Sequence, residues 1–243
     1  MTYCLGIKVQ SGLVAIADTR LTAGTEVTTA KKISTHQIGS HSLFIMTSGL
    51  RSVRDKAIIY FNETIEKEGQ SFRRLHEAAT AFGQQIRRVA TEDREFLEDA
   101  GLAFNLHAII GGKLEADDDH KLFLLYPQGN WVGKETDETH PFFAIGNSNY
   151  GKPLIFRSLH SESSLSEALK IAFLSFDSTR VSANDVDYPL DVVMYDNETK
   201  KMIEHRFEKD DLAHLSLQWS MLLKNSVQRL PNDWMAVVLN QIE

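Results

Sequence analysis

The second residue of the chain is where nucleophilic chemistry can begin. Met1 is followed by Thr2, and a small residue at position two lets an aminopeptidase remove the initiator methionine. The threonine so exposed carries a hydroxyl and a free α-amine on one residue. An α-amine has an ordinary pKa of about 7.7–8.0, which suits it to take up a proton at neutral pH. A hydroxyl beside its own amine is an activated nucleophile. Taken alone, a Met-Thr start is far more often a processing-friendly beginning than a nucleophile, so its surroundings carry the argument.

Other chemistry-bearing patterns fall short. Gly146-Asn147-Ser148-Asn149-Tyr150-Gly151-Lys152-Pro153 is a near miss to a phosphate-binding loop, but its eighth position must offer a hydroxyl to Mg²⁺ and proline has none. His36, His41, His107, His120 and His140 lack metal-ligand spacing, and Asp117-Asp118-Asp119 lacks the glycine and closing glutamate of a calcium loop. These read as surface loops, and no metal or cofactor is expected. Asn62-Glu63-Thr64 and Asn197-Glu198-Thr199 match a glycosylation pattern without meaning in a cytosolic chain.

The elements around Thr2 read as sheet. Tyr3 to Val9 and Leu13 to Ala17 are apolar runs about Gln10-Ser11-Gly12, and Ile33 to Ile38 and Leu43 to Thr47 flank Gly39-Ser40-His41, so two hairpins are predicted. The period then changes. Val53, Ala57, Ile58, Phe61 and Ile65 recur at helical spacing up to Gly69, and Ser71 is predicted to cap a second helix through Leu75, Ala78, Ala79, Phe82, Ile86 and Val89. Leu102 to Ile110, Lys121 to Tyr126 and Pro141 to Ile145 return to strand, with Asp117 to Asp119 as an exposed turn. Ser164-Leu165-Ser166-Glu167 is a capping box opening another helix. Leu190 to Tyr195 and Met202 to Phe207 are strands, and Leu212 to Leu223 is helical. This order is not βαβ alternation; it predicts an α+β fold of two antiparallel sheets with helices on both outer faces.

No linker or composition shift divides the chain, so residues 1–243 are predicted to be a single domain with a C-terminal helical extension from about 209. With 26 Lys+Arg against 33 Asp+Glu the net charge is −7, which argues against nucleic acid or an anionic membrane as partner. At this length roughly 70–75% of the unfolded chain's surface can be buried. The one cysteine, Cys4, has no disulfide partner, and no signal peptide or spanning apolar run is evident; a cytoplasmic location is expected.

Four ordered pieces then give the threonine company. Thr2-Tyr3-Cys4-Leu5-Gly6-Ile7-Lys8-Val9 leads to Ala17-Asp18-Thr19-Arg20-Leu21-Thr22-Ala23-Gly24, then to Lys31-Lys32-Ile33 and Thr47-Ser48-Gly49. This series resembles the proteasome β-subunit family, by motif over the first ~55 residues and by element order over the whole chain. The resemblance implies a four-layer αββα sandwich of the N-terminal-nucleophile hydrolase kind. It implies Thr2 as nucleophile, Lys32 beside its hydroxyl, Asp18 paired with Lys32, and Gly49 offering its N–H to the oxyanion. Thr22 would align an extended substrate through its backbone, and Arg20 would support the site from behind.

The pattern is not matched throughout. The segment between Gly24 and Lys32 is two residues short, so assigning the lysine to Lys32 rests on the following Ile33. The family's Gly-Ser-Gly turn is represented by Gly146-Asn147-Ser148, where either Asn147 or Ser148 fills the serine's role. Its later Asp-x-x-Ser element has candidates in Asp177, Thr179 and Ser182. Thr2 follows Met1 directly with no propeptide between, and together with the length and helical tail this is similar to the bacterial Anbu group, the ancestral β-subunits.

The function so implied is a threonine peptidase acting on peptides or unfolded protein, assembled with copies of itself into a ring or open helical washer. An ATPase partner is not specified by the sequence. The competing readings are a catalytically weak or inactive ring-forming scaffold, and an N-terminal-nucleophile amidase acting on small amides.

Overall fold

The computed structural model describes residues 2–23, 26–134 and 139–242, with backbone only at positions 22, 23, 26 and 27. Met1 and Gly24 of the first motif thus lie outside the described residues. The apolar runs about Gly12 form an antiparallel pair, β1 (Tyr3–Val9) and β2 (Gly12–Asp18), every residue of which is buried. There follow β3 (Arg20–Ala23), β4 (Glu26–Thr29), β5 (Ile33–Ile38), β6 (His41–Gly49), and helices α1 (Arg51–Glu68) and α2 (Leu75–Asp99). The strands β7 (Leu106–Lys113), β8 (Lys121–Leu125), β9 (Trp131–Gly133) and β10 (Phe142–Gly146) precede α3 (Lys152–Ser158) and α4 (Leu165–Ser182). Two strands, β11 (Leu190–Asp196) and β12 (Met202–Phe207), then lead into α5 (Lys209–Gln228).

The strands pair as β10-β1-β2-β11-β12 in one sheet and β5-β6-β7-β8-β9 in the other, with β3-β4 a separate ribbon. Every pairing in the two large sheets is antiparallel. Their facing sides meet in an apolar layer where Cys4, Leu13, Ala15 and Ala17 pack with Phe44, Met46, Ile109 and Leu122. This double-sided cover explains why β1 and β2 read as continuous apolar runs rather than alternating ones. On the outer face of the second sheet, Val53, Ala57, Phe61, Phe82 and Ile86 of α1 and α2 pack on Leu43, Ile45 and Ile110. Each such buried phenylalanine contributes about 1.5–3 kcal/mol by leaving water. Helix α4 lies against β1 and β2, which completes the αββα sandwich of two antiparallel sheets.

Several local expectations are corrected. Ser71 does not cap α2; its hydroxyl donates to the Glu68 carbonyl at 2.7 Å. The cap is made from elsewhere: the Glu77 carboxylate accepts the N–H groups of Arg73 and Arg74, and Asp117 accepts that of Leu75 at 2.9 Å. Asp117 also accepts the N–H of Leu114 at 2.9 Å and is buried, so it is not part of an exposed turn. His120 is likewise fully buried, with Nε2 2.8 Å from the Val9 carbonyl. The third sheet region starts at Leu106 and not at Leu102, because Ala100, Gly101 and Leu102 donate their N–H groups to the last carbonyls of α2. The short ribbon β3-β4 and the exposed edge strand β9 carry too little apolar pattern to be read from sequence.

The chain forms two compact units, Met1–Glu208 and Lys209–Glu243. In the second, Leu217, Met221, Leu222, Leu223 and Val227 of α5 are exposed. No helix among the described residues is long and apolar enough to cross a membrane.

Candidate active site

Strand register brings the first candidates together. Cys4 pairs with Ala17, which sets Tyr3 across from Asp18, and the Tyr3 N–H donates to Asp18 Oδ1 at 2.7 Å. Lys32 lies one residue ahead of β5, where its carbonyl accepts the Thr47 N–H at 3.0 Å. Its Nζ donates to Asp18 Oδ1 and Oδ2, both at 2.8 Å, and to the Arg20 carbonyl at 2.7 Å. Three acceptors around one nitrogen match the three N–H groups of an ammonium. Both side chains are 0% exposed, and a cation so buried is tolerable only against a carboxylate. Burial pushes the Asp18 carboxyl up to about 6; the Lys32 charge, its hydrogen bonds and the Tyr3 N–H pull the other way. Asp18 is therefore ionised at neutral pH. Lys31, by contrast, is half exposed and pairs with Glu204 on β12.

Thr2 is 7% exposed and immediately precedes β1. Its carbonyl accepts the Asn147 N–H at 2.6 Å, and β10 reaches it because Tyr3 pairs with Gly146. Gly146 has φ +81°, and a Cβ there would stand 1.9 Å from the Thr2 carbonyl oxygen; only glycine allows this approach. Of the two loop candidates, Asn147 thus touches Thr2 through its backbone. Ser148 is buried, with its N–H on the Gly146 carbonyl at 3.1 Å. Gly49 ends β6 opposite Leu106 with φ +144°, and a Cβ would meet the Asn105 carbonyl oxygen at 2.0 Å. The backbone of Thr22 pairs with Val27 in the β3-β4 ribbon, which has no third strand among the described residues; the Thr22 side chain lies outside them.

The remaining candidates divide. Arg20 uses its carbonyl for Lys32 and its guanidinium, through Nη1, for Asp187 Oδ2 at 3.1 Å. Nothing in the sequence distinguishes Asp187 from an ordinary loop aspartate. Asp177 is buried and pairs with Arg180 at 2.8 Å. Thr179 donates to the Ser175 carbonyl at 2.9 Å, and the exposed Ser182 to the Ser178 carbonyl at 2.9 Å, both within their own helix. Cys4 is buried behind the strand, and burial raises its thiol pKa, which makes it a poor nucleophile. Among the described residues no group of three His, Cys, Asp or Glu side chains is placed to hold a metal.

The arrangement is a dehydrated cation locked to a carboxylate that also accepts the N–H of Tyr3, the residue after Thr2. The three acceptors hold the Lys32 ammonium in place. Residues 2–186 match the family model for the proteasome subunit. No curated protein matches the chain. Among solved structures, an Anbu Gly-1 mutant from Hyphomicrobium sp. strain MC1 is 31% identical with a TM-score of 0.85, over 94% of this chain and 99% of that one. Anbu, the ancestral beta-subunit, from Yersinia bercovieri is 28% identical with a TM-score of 0.84, over 94% and 97%. The Anbu complex of Pseudomonas aeruginosa, solved as a helical assembly, is 30% identical with a TM-score of 0.86, over 94% and 97%.

Proposed function

We propose that this chain, which belongs to the proteasome subunit family, is a threonine-type peptidase that hydrolyses peptide amide bonds through Thr2 once Met1 is removed. The observation that supports this reading most is the fully buried Asp18–Lys32 pair, tied through the Tyr3 N–H to the residue next to Thr2. Thr2 Oγ attacks the scissile carbonyl and its proton passes to the α-amine. The Lys32 charge favours the developing alkoxide, and the Gly49 N–H receives the oxyanion, a contribution of roughly 2.7–4 kcal/mol when such a donor is well aimed. The C–N bond then breaks as the amine leaves with the proton. Water hydrolyses the resulting ester and restores the hydroxyl. Extended substrate backbone would add along the open edge at Thr22. The reaction needs no metal or cofactor and would run in the cytoplasm.

The test is intact mass, labelling by a β-lactone electrophile and hydrolysis of a fluorogenic peptide, each in wild type and Thr2→Ala. Loss of one methionine, acylation on Thr2 and hydrolysis that vanishes in Thr2→Ala are expected. Undiminished hydrolysis by Thr2→Ala overturns the nucleophile assignment. The exposed apolar side chains of α5, and the helical assembly of the Pseudomonas aeruginosa relative, favour a homo-oligomer, as a ring or open helical washer. Light scattering at the monomer mass of 27.4 kDa at micromolar concentration would contradict that.

A further inference from the structure

Tyr3 directly follows the proposed nucleophile and is 0% exposed, a place a phenol occupies only if its hydroxyl finds a partner. The partner is Ser175 Oγ on α4, 2.5 Å away and 172 positions along the chain. Ser175 is itself fully buried, and the Tyr3 ring packs on the neighbouring Phe176 with centroids 6.1 Å apart. Burial keeps the phenol protonated well above its ordinary range, so a hydroxyl proton is always present to bridge the two oxygens. Tyr3 is therefore held at both ends, by its N–H on Asp18 and by its phenol on α4.

The same serine also meets the loop that follows β10. Gly151 crosses α4 so closely that a Cβ there would stand 2.0 Å from Ser175 Oγ and 2.6 Å from the Ser175 carbonyl oxygen. Gly151 caps α3 and ends the loop whose Asn147 N–H holds the Thr2 carbonyl. One residue of α4 thus touches both the strand that carries Thr2 and the loop that grips it. Resting on the reading of Thr2 as nucleophile, we propose that the Tyr3–Ser175 hydroxyl pair is a positioning device, which fixes the depth and orientation of Thr2 against the Asp18–Lys32 pair. Reaction requires approach to about 3–3.5 Å, so a small displacement of Thr2 is felt in the chemical step rather than in substrate binding.

The experiment compares wild type, Tyr3→Phe, Ser175→Ala, Ser175→Cys and the Tyr3→Phe/Ser175→Ala double in the full chain. The readouts are the β-lactone acylation rate constant by intact mass, peptide kcat and KM, and melting temperature. Tyr3→Phe and Ser175→Ala should each lower the acylation rate constant and kcat roughly 10- to 100-fold per folded molecule, while KM stays within about twofold. The double should be no slower than the slower single, because both remove one bond, and Ser175→Cys should recover part of the rate. Wild-type acylation rates in both singles, or a double that multiplies their losses, would overturn the positioning role while leaving the nucleophile in place. Wild type that is not acylated at all removes the nucleophile and this proposal together.

Discussion

The buried ion pair serves chemistry at a cost in stability, and removing both charges should separate the two. Asp18 keeps its proton up to about pH 6 in the folded protein against an ordinary 3.8, because burial disfavours the carboxylate more than Lys32 favours it. The difference between 3.8 and about 6 corresponds to about 3 kcal/mol. The sign follows from proton binding: between pH 3.8 and about 6 the folded state holds this proton more tightly than the unfolded one. Folding stability from Asp18 therefore falls as pH rises across that window and is level above it. In the Asp18→Asn/Lys32→Met variant neither group titrates, and similar volumes fill the site. Its melting temperature subtracted from that of wild type cancels other ionisations. For a chain of this size 1 kcal/mol moves the midpoint by roughly 2–4 °C, so the wild type should lose roughly 6–12 °C relative to the variant between pH 4 and pH 7. Over the same window wild-type acylation of Thr2 should rise, since the carboxylate is the form that holds Lys32. The variant should acylate about 10²- to 10³-fold more slowly at pH 7.5, because the charge facing the developing alkoxide is gone. A difference in melting temperature that is flat with pH, or that grows in favour of wild type, would refute this account of the pair; so would wild-type acylation by the variant.

Lys32→Ala should slow acylation by about 10²- to 10³-fold through loss of its charge while Lys31→Ala leaves it unchanged, because Lys31 faces Glu204 in solvent; equal losses in one peptidase assay would show the register before β5 to be wrong. Gly146→Ala forces a Cβ against the Thr2 carbonyl oxygen at a left-handed φ, and chemical denaturation should report a loss of more than about 2 kcal/mol together with abolished labelling. Asp117→Ala removes the acceptor for two N–H groups at the start of α2 and beyond β7. It should cost about 1–3 kcal/mol in urea denaturation, with the acylation rate per folded molecule unaffected.

Periodicity and turn chemistry made much of the architecture legible before any coordinates. The β1–β2 hairpin shows in apolar runs either side of Gly12, α1 and α2 in their three- and four-residue spacing, and the Ser164–Glu167 capping box opens α4 as read, with Ser164 Oγ accepting the Glu167 N–H at 3.3 Å. The candidate site showed through the resemblance of four ordered motifs, all within the first ~55 residues, to the proteasome β-subunit family, which implies roles for Thr2, Asp18 and Lys32. Tertiary structure alone decided the rest, because a residue's period reports which face it occupies and not what lies opposite. Asp117 looks like any turn aspartate until it meets the start of α2, 42 positions away in sequence. Arg20 finds Asp187, and Tyr3 finds Ser175, only after two sheets and a helix have stacked. Such contacts join groups far apart in the chain, and their partners exist only once the layers close.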